Sequence, residues 1–179
     1  MAGIMKIQWQ NKKGMTLLDL IIWMSIFGML TTSMIASFRD GNRGDGVRQS
    51  ARLAESLLRR AQTMTLSGTV LLNGDYPNGG YGVRFDTGQS RNLILFGDVN
   101  GNFKYDAGEE IAGSDVLLPI NTAFSLGASL DVVFSPPDGD VYFNGLAAPD
   151  TTVVSFVGTG TSITKAITVF RLSGQVRVE

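Results

Sequence analysis

The stretch Met15–Phe38, MTLLDLIIWMSIFGMLTTSMIASF, decides how this chain is organised. From Leu20 to Phe38 it runs for nineteen residues without a charge. At about 1.5 Å per residue, nineteen to twenty-four residues form a helix of roughly 29 to 36 Å, the thickness of a hydrocarbon core of about 30 Å. Residues 15–38 are therefore expected to span a bilayer. Lys6, Lys12 and Lys13 precede the span with no acid among them. That charge bias keeps the N-terminus cytoplasmic and puts the bulk of the chain outside. A buried helix of a soluble domain and a cleaved secretory signal are the competing readings. The second is weakened because TTSMIASFRDGNR, Thr31–Arg43, offers no clean small-x-small cleavage site.

Moving outward, RDGNRGDG at Arg39–Gly46 holds three glycines and alternating charge, and is expected to weaken or interrupt a helix. Beyond it Val47, Ala51, Ala54, Leu57 or Leu58, Ala61 and Met64 recur at three- and four-residue spacing, with Arg48, Arg52, Glu55, Arg59 and Arg60 largely off that stripe. This is an amphipathic helix with one face to bury. A helix from Met15 to Met64 would be about 75 Å long, too long for the core of a small domain, so half of it must serve elsewhere.

From Ser67 the period changes. Runs at 69–72, 81–85, 92–97, 116–120, 130–134, 140–144, 152–157, 165–172 and 175–179 are apolar or alternating, separated by turn-rich segments such as NGDYPNGG, SPPDGD and GTGTS. They read as short antiparallel strands. Hairpins are expected between Val132–Ser135 and Asp140–Phe143, and between Ala166–Arg171 and Gln175–Val178; Pro77–Gly80 is assigned no fixed structure. The fold expected is α+β: a long N-terminal transmembrane and stem helix, packed by its C-terminal half against an antiparallel β-sheet or small β-sandwich. After residues 1–14, the apolar span is expected at 15–38, the juxtamembrane break and amphipathic helix at 39–66, and a β-rich extracytoplasmic domain at 67–179.

Composition narrows the chemistry. The 179 residues include 22 glycines, no histidine and no cysteine, with a net charge of -1. Histidine relays, thiol nucleophiles, soft-ligand zinc sites and disulfides are thereby excluded. No phosphate loop is present, and nothing in the sequence brings two of Asp86, Asp131, Asp138 and Asp140 to glycosidase spacing. No enzyme is expected, and no nucleic-acid binding, since the arginines of 39–60 lie beside the membrane where anchoring explains them.

DVNGNFKYDAGEE, Asp98–Glu110, places oxygens at Asp98, Asn100, Asn102, the Lys104 carbonyl, Asp106 and Glu109, which are positions 1, 3, 5, 7, 9 and 12 of a calcium loop. A structural Ca2+ is expected there, with Phe103 at the sixth position where such loops have glycine. An Asx-rich turn without a ligand is the other reading.

Asp19 is the one acid in the apolar segment. It can favour the positive end of its own helix. It can instead meet an amine: a cut between Gly14 and Met15 would leave a new amine four residues away on the same helix face. KKGMTLLDLIIWMSIFGML, Lys12–Leu30, resembles the N-terminal signature of type IV pilins and type II secretion pseudopilins. The resemblance implies cleavage after Gly14 by a prepilin peptidase, N-methylation at Met15, an assembly role for Asp19 and a family glycine at Gly28. Methionine replaces the usual phenylalanine at Met15, and aspartate the usual glutamate at Asp19. LDVVFSPPDGDVYFNG and ITVFRLSGQVRVE resemble, more weakly, pieces of the minor pseudopilin H group, in which a helix lies against two small sheets. The function so implied is a bacterial inner-membrane, single-pass prepilin-like subunit, a minor component of a type II secretion pseudopilus or pilus-like filament. Its partners would be other pilin or pseudopilin subunits and the inner-membrane assembly platform. The alternative is a bitopic membrane-anchored β-domain that binds a ligand without assembling.

Overall fold

The computed structural model describes residues 16–72, 74–160 and 162–179, and the α1 side chains other than those of residues 36 and 38–43. The proposed cut between Gly14 and Met15 lies outside the described residues. Two compact units are present, Met1–Arg39 and Asp40–Glu179. One helix, α1 (Leu17–Leu66), contributes to both.

In the first unit α1 is bare. Over Leu17–Ile35 the helix is long and apolar enough to cross a membrane, and none of it is buried. Trp23, Phe27 and Met29 are all more than half exposed. Three of its hydroxyls are satisfied locally: Ser25 Oγ donates to the Ile21 carbonyl, Thr31 Oγ1 to the Phe27 carbonyl and Thr32 Oγ1 to the Gly28 carbonyl. Those bonds let three hydroxyls sit on an apolar helix without unmet donors.

In the second unit the predicted stripe is the core face of α1. Val47, Ala51, Ala54, Leu57, Leu58 and Ala61 are buried, with Met64 packed against them. The expected interruption at Arg39–Gly46 is corrected, since α1 is helical through it. Glycine costs about 1 kcal/mol in a helix interior, but here its missing side chain allows close packing. A Cβ on Gly44 would lie 2.8 Å from Ile163 Cδ1, and one on Gly46 would lie 3.1 Å from Thr122 Cγ2. Ser50 Oγ and Thr122 Oγ1 share a buried 2.7 Å hydrogen bond one turn further on. The helix ends where Gly68 takes a φ of 64°. The Gly68 N–H then bonds the Thr65 carbonyl and the Thr69 N–H the Met64 carbonyl, the pattern of a Schellman cap.

Among the described residues nine strands follow in two antiparallel sheets. The first has the order β3 (Val116–Leu117), β2 (Asn92–Asp98), β1 (Gly80–Phe85), β5 (Leu130–Ser135), β6 (Asp140–Phe143). The second runs β4 (Thr122–Ser125), β7 (Thr151–Gly158), β8 (Thr164–Phe170), β9 (Val176–Val178). Both expected hairpins form, β5 with β6 and β8 with β9. One core unites α1 with the inward residues of both sheets, among them Tyr81, Phe85, Phe134, Phe156 and Ile167. Thr65 ties helix to sheet: its Oγ1 donates to the Phe134 carbonyl at 3.0 Å and accepts from the Tyr81 N–H at 3.0 Å.

Three local expectations are corrected. Thr69–Leu72 is not a strand. It leaves the helix cap and closes on itself, the Leu71 N–H bonding the Asp75 carbonyl and the Gly74 N–H the Leu71 carbonyl, so its backbone groups are spent within the turn. Pro77–Gly80 is a defined turn closed by Gly80 N–H to the Pro77 carbonyl at 3.0 Å. Of the run 116–120 only Val116–Leu117 pairs, while β4, which had no clear apolar signature, forms instead.

Candidate functional site

Asp19 lies in the first turn of α1. Its Oδ2 accepts from the Thr16 N–H at 3.1 Å and from Thr16 Oγ1 at 2.9 Å, while Thr16 Oγ1 accepts from the Asp19 N–H at 3.2 Å. This is a reciprocal capping box, satisfying orphan donors at the helix start. The T-x-x-D spacing before an apolar run carried that signal. Among the described residues nothing donates to Asp19 Oδ1, so the carboxylate has capacity left for a further donor.

Asp98–Glu110 closes on itself at the end of β2. The Gly97 N–H bonds the Glu109 carbonyl and the Ile111 N–H bonds the Leu95 carbonyl, clamping both ends of the loop. Asp98, fully buried, accepts from three backbone donors: Gly101 N at 2.8 Å, Asn102 N at 3.3 Å and Phe103 N at 2.7 Å. Asp106 Oδ2 gathers the amides of Asn100 at 2.6 Å and Asn102 at 2.8 Å. Glu109 accepts from the Val99 and Asp106 N–H groups, both at 3.0 Å. The Lys104 N–H donates to Asn102 Oδ1 at 2.8 Å.

Asn100, Asn102 and Asp106 are thus brought together, while Asp98 and Glu109 are turned to loop backbone. Among the described residues no three acidic side chains gather as a ready metal centre. A cation here would need the two asparagine amides to present oxygen where they now present NH₂ to Asp106. The donors themselves are all oxygens, as a hard divalent ion requires.

Phe103 adopts a φ of 58°, the left-handed conformation for which a calcium loop uses glycine at that place. Its ring stacks on Tyr142 of β6, centroids 4.0 Å apart and nearly parallel. Tyr105 meets Phe96 of β2 edge-on at 5.4 Å, and the Arg84 guanidinium lies 4.8 Å over the Tyr105 ring. The loop therefore covers the outer face of the first sheet, where Phe96 and Val133 are fully buried. Sequence reasoning treated Phe103 only as a departure from a calcium loop and missed its anchoring role. Its partner Tyr142 lies 39 residues on, beyond any local pattern.

Beneath this cover Asp131 of β5 bonds Arg84 of β1 at 3.1 Å and accepts from the Tyr105 N–H at 3.2 Å. Burial raises the Asp131 carboxyl above the ordinary aspartate value, opposed by the Tyr105 N–H, by Arg84 and by the charge of Lys104. Glu110 is held below the ordinary glutamate value by backbone N–H groups, its own and that of Gly108, and by the Tyr105 hydroxyl. Asp131 is thus committed to an ion pair. Asp86 caps a one-turn 3₁₀ helix at Thr87–Gln89.

The class these features define is α+β, an apolar N-terminal helix whose later turns pack against antiparallel sheet. No protein-family model matches the chain, nor does any curated protein or solved structure.

Proposed function

We propose that the chain is a membrane-inserted prepilin-like subunit, cut after Gly14 and built into a pseudopilus or pilus-like filament. The observation that carries the reading is the use of α1: apolar and exposed over Leu17–Ile35, buried by a stripe over Val47–Ala61. An apolar helix held in lipid can exchange lipid contact for helix contact, which suits a subunit moved from bilayer to filament. The role is mechanical and involves no catalysis.

Asp19 takes part with Oδ1, to which nothing donates among the described residues. In an apolar medium a carboxylate and an amine attract more strongly than in water, so a neighbour's amine would fix register there. Partners are the prepilin peptidase, related subunits and an inner-membrane assembly platform. We extend the proposal to a structural Ca2+ held by Asp98, Asn100, Asn102, the Lys104 carbonyl, Asp106 and Glu109, once the asparagine amides turn their oxygens inward.

Intact-mass measurement of the protein from native membranes tests the reading. Loss of fourteen residues, with or without a methyl group on Met15, is the expected result. Full-length mass in cells that possess the peptidase would instead favour a membrane-anchored β-domain that does not assemble.

A further inference from the structure

Charge is segregated within the second unit. Residues 40–66 hold five arginines and three acids, whereas residues 67–179 hold six basic and twelve acidic residues. On the outward face of α1, Arg48, Arg52, Ser56, Arg59 and Arg60 form an exposed stripe at helical spacing. Arg48 pairs with Asp45 and Arg59 with Glu55. Arg52 and Arg60 have no carboxylate partner among the described residues.

Two of those acids, Glu109 and Glu110, bound an apolar groove of about 270 Å³ formed by Leu71, Leu72, Val99 and Ile111. Leu72 is 96 % exposed, beside Leu71, which is partly buried and packed against the core. Glu110 is exposed and its lowered proton affinity keeps it ionised.

We propose that the arginine stripe of one copy docks into the acid-bounded groove of a second copy. Arginine stems can lie along Leu72 and Val99 while their guanidinium groups reach Glu110. Because the two patches differ, each added copy leaves a fresh stripe and a fresh groove free, and the contact propagates as an open assembly instead of closing as a two-fold dimer. Complementary charge at the rim sets register and encounter. The inference rests on the filament reading and adds which faces of the β-bearing unit meet.

The chain has no cysteine, so Ser56→Cys combined with Ala112→Cys can be oxidised in native membranes of cells making the full chain. The expected result is a ladder of linked species beyond the dimer, absent from either single variant. Arg52→Glu should abolish the ladder, and Glu110→Arg added to it should restore part. Because Glu110 also holds Tyr105 and Gly108, Arg52→Glu alone serves as the decisive variant should Glu110→Arg fail to fold. A chain cut at Gly14 and recovered in sheared filaments without the ladder overturns the docking but leaves the filament reading standing. A ladder indifferent to Arg52→Glu also overturns the docking. An uncut, unlinked chain overturns both.

Discussion

Asp19 serves the start of its own helix with one carboxylate oxygen and has the other uncommitted among the described residues. The two roles separate by mutation. Thr16→Ala removes the capping partner and keeps the acid, at a cost to the helix end of about 1 kcal/mol. Asp19→Ala removes both functions and eases membrane insertion. We expect Thr16→Ala subunits to be incorporated into filaments as judged by cross-linking or pull-down, and Asp19→Ala subunits to fail. Equal incorporation of both variants and wild type would assign the carboxylate to capping alone. Phe103 presents a similar conflict, since its left-handed backbone costs a side-chain-bearing residue about 1–2 kcal/mol and its stack on Tyr142 returns about 0.5–1.5 kcal/mol beyond burial. Phe103→Ala keeps the strain and loses the ring, so it should destabilise by about 2 kcal/mol. Phe103→Gly should be less harmful by about 1 kcal/mol, because glycine tolerates the angle. Urea unfolding of residues 40–179, which contain the whole buried core, measures both.

Among the elements, α1 and the loop after β2 departed most from their local sequence. Glycines that discourage a helix were kept in one because close approach to Ile163 and Thr122 requires them. The Asp98–Glu110 loop was legible as a cluster of oxygens but not as a cover for Phe96 and Val133. If calcium binds, the ion replaces amide donors around Asp106, and mutual repulsion of the carboxylates falls. With a weak affinity of about 10⁻⁴ to 10⁻³ M, millimolar calcium would add on the order of 1 kcal/mol. Thermal melting of residues 40–179 should then show a higher midpoint in calcium than in chelator. Asp106→Ala should remove the difference while sparing the Asp98 bonds to loop backbone. Identical wild-type midpoints, with no heat of binding at millimolar ion, would leave the loop as an Asx-rich turn.

For the molecule as a whole, the exposed apolar stretch Leu17–Ile35 and the self-contained core of 40–179 make opposite demands on solvent. Full-length chain should stay with membranes through alkaline extraction, and residues 40–179 made alone should be soluble. In the orientation we propose from the N-terminal lysines, protease added to intact spheroplasts should digest the β-bearing unit. Protection of that unit would reverse the orientation. The sequence by itself determined what depends on neighbours a few residues apart: the uncharged span, the stripe Val47–Ala61, both hairpins and the capping spacing at Thr16 and Asp19. Only the tertiary structure decided the rest. Thr69–Leu72 spends its backbone groups on a turn instead of a strand, Gly44 and Gly46 lie in the helix where Ile163 and Thr122 come close, and Phe103, at the left-handed place of its loop, found in Tyr142 a ring to stack on. The last two outcomes depend on contacts between residues far apart in the chain, whose energies no local pattern contains.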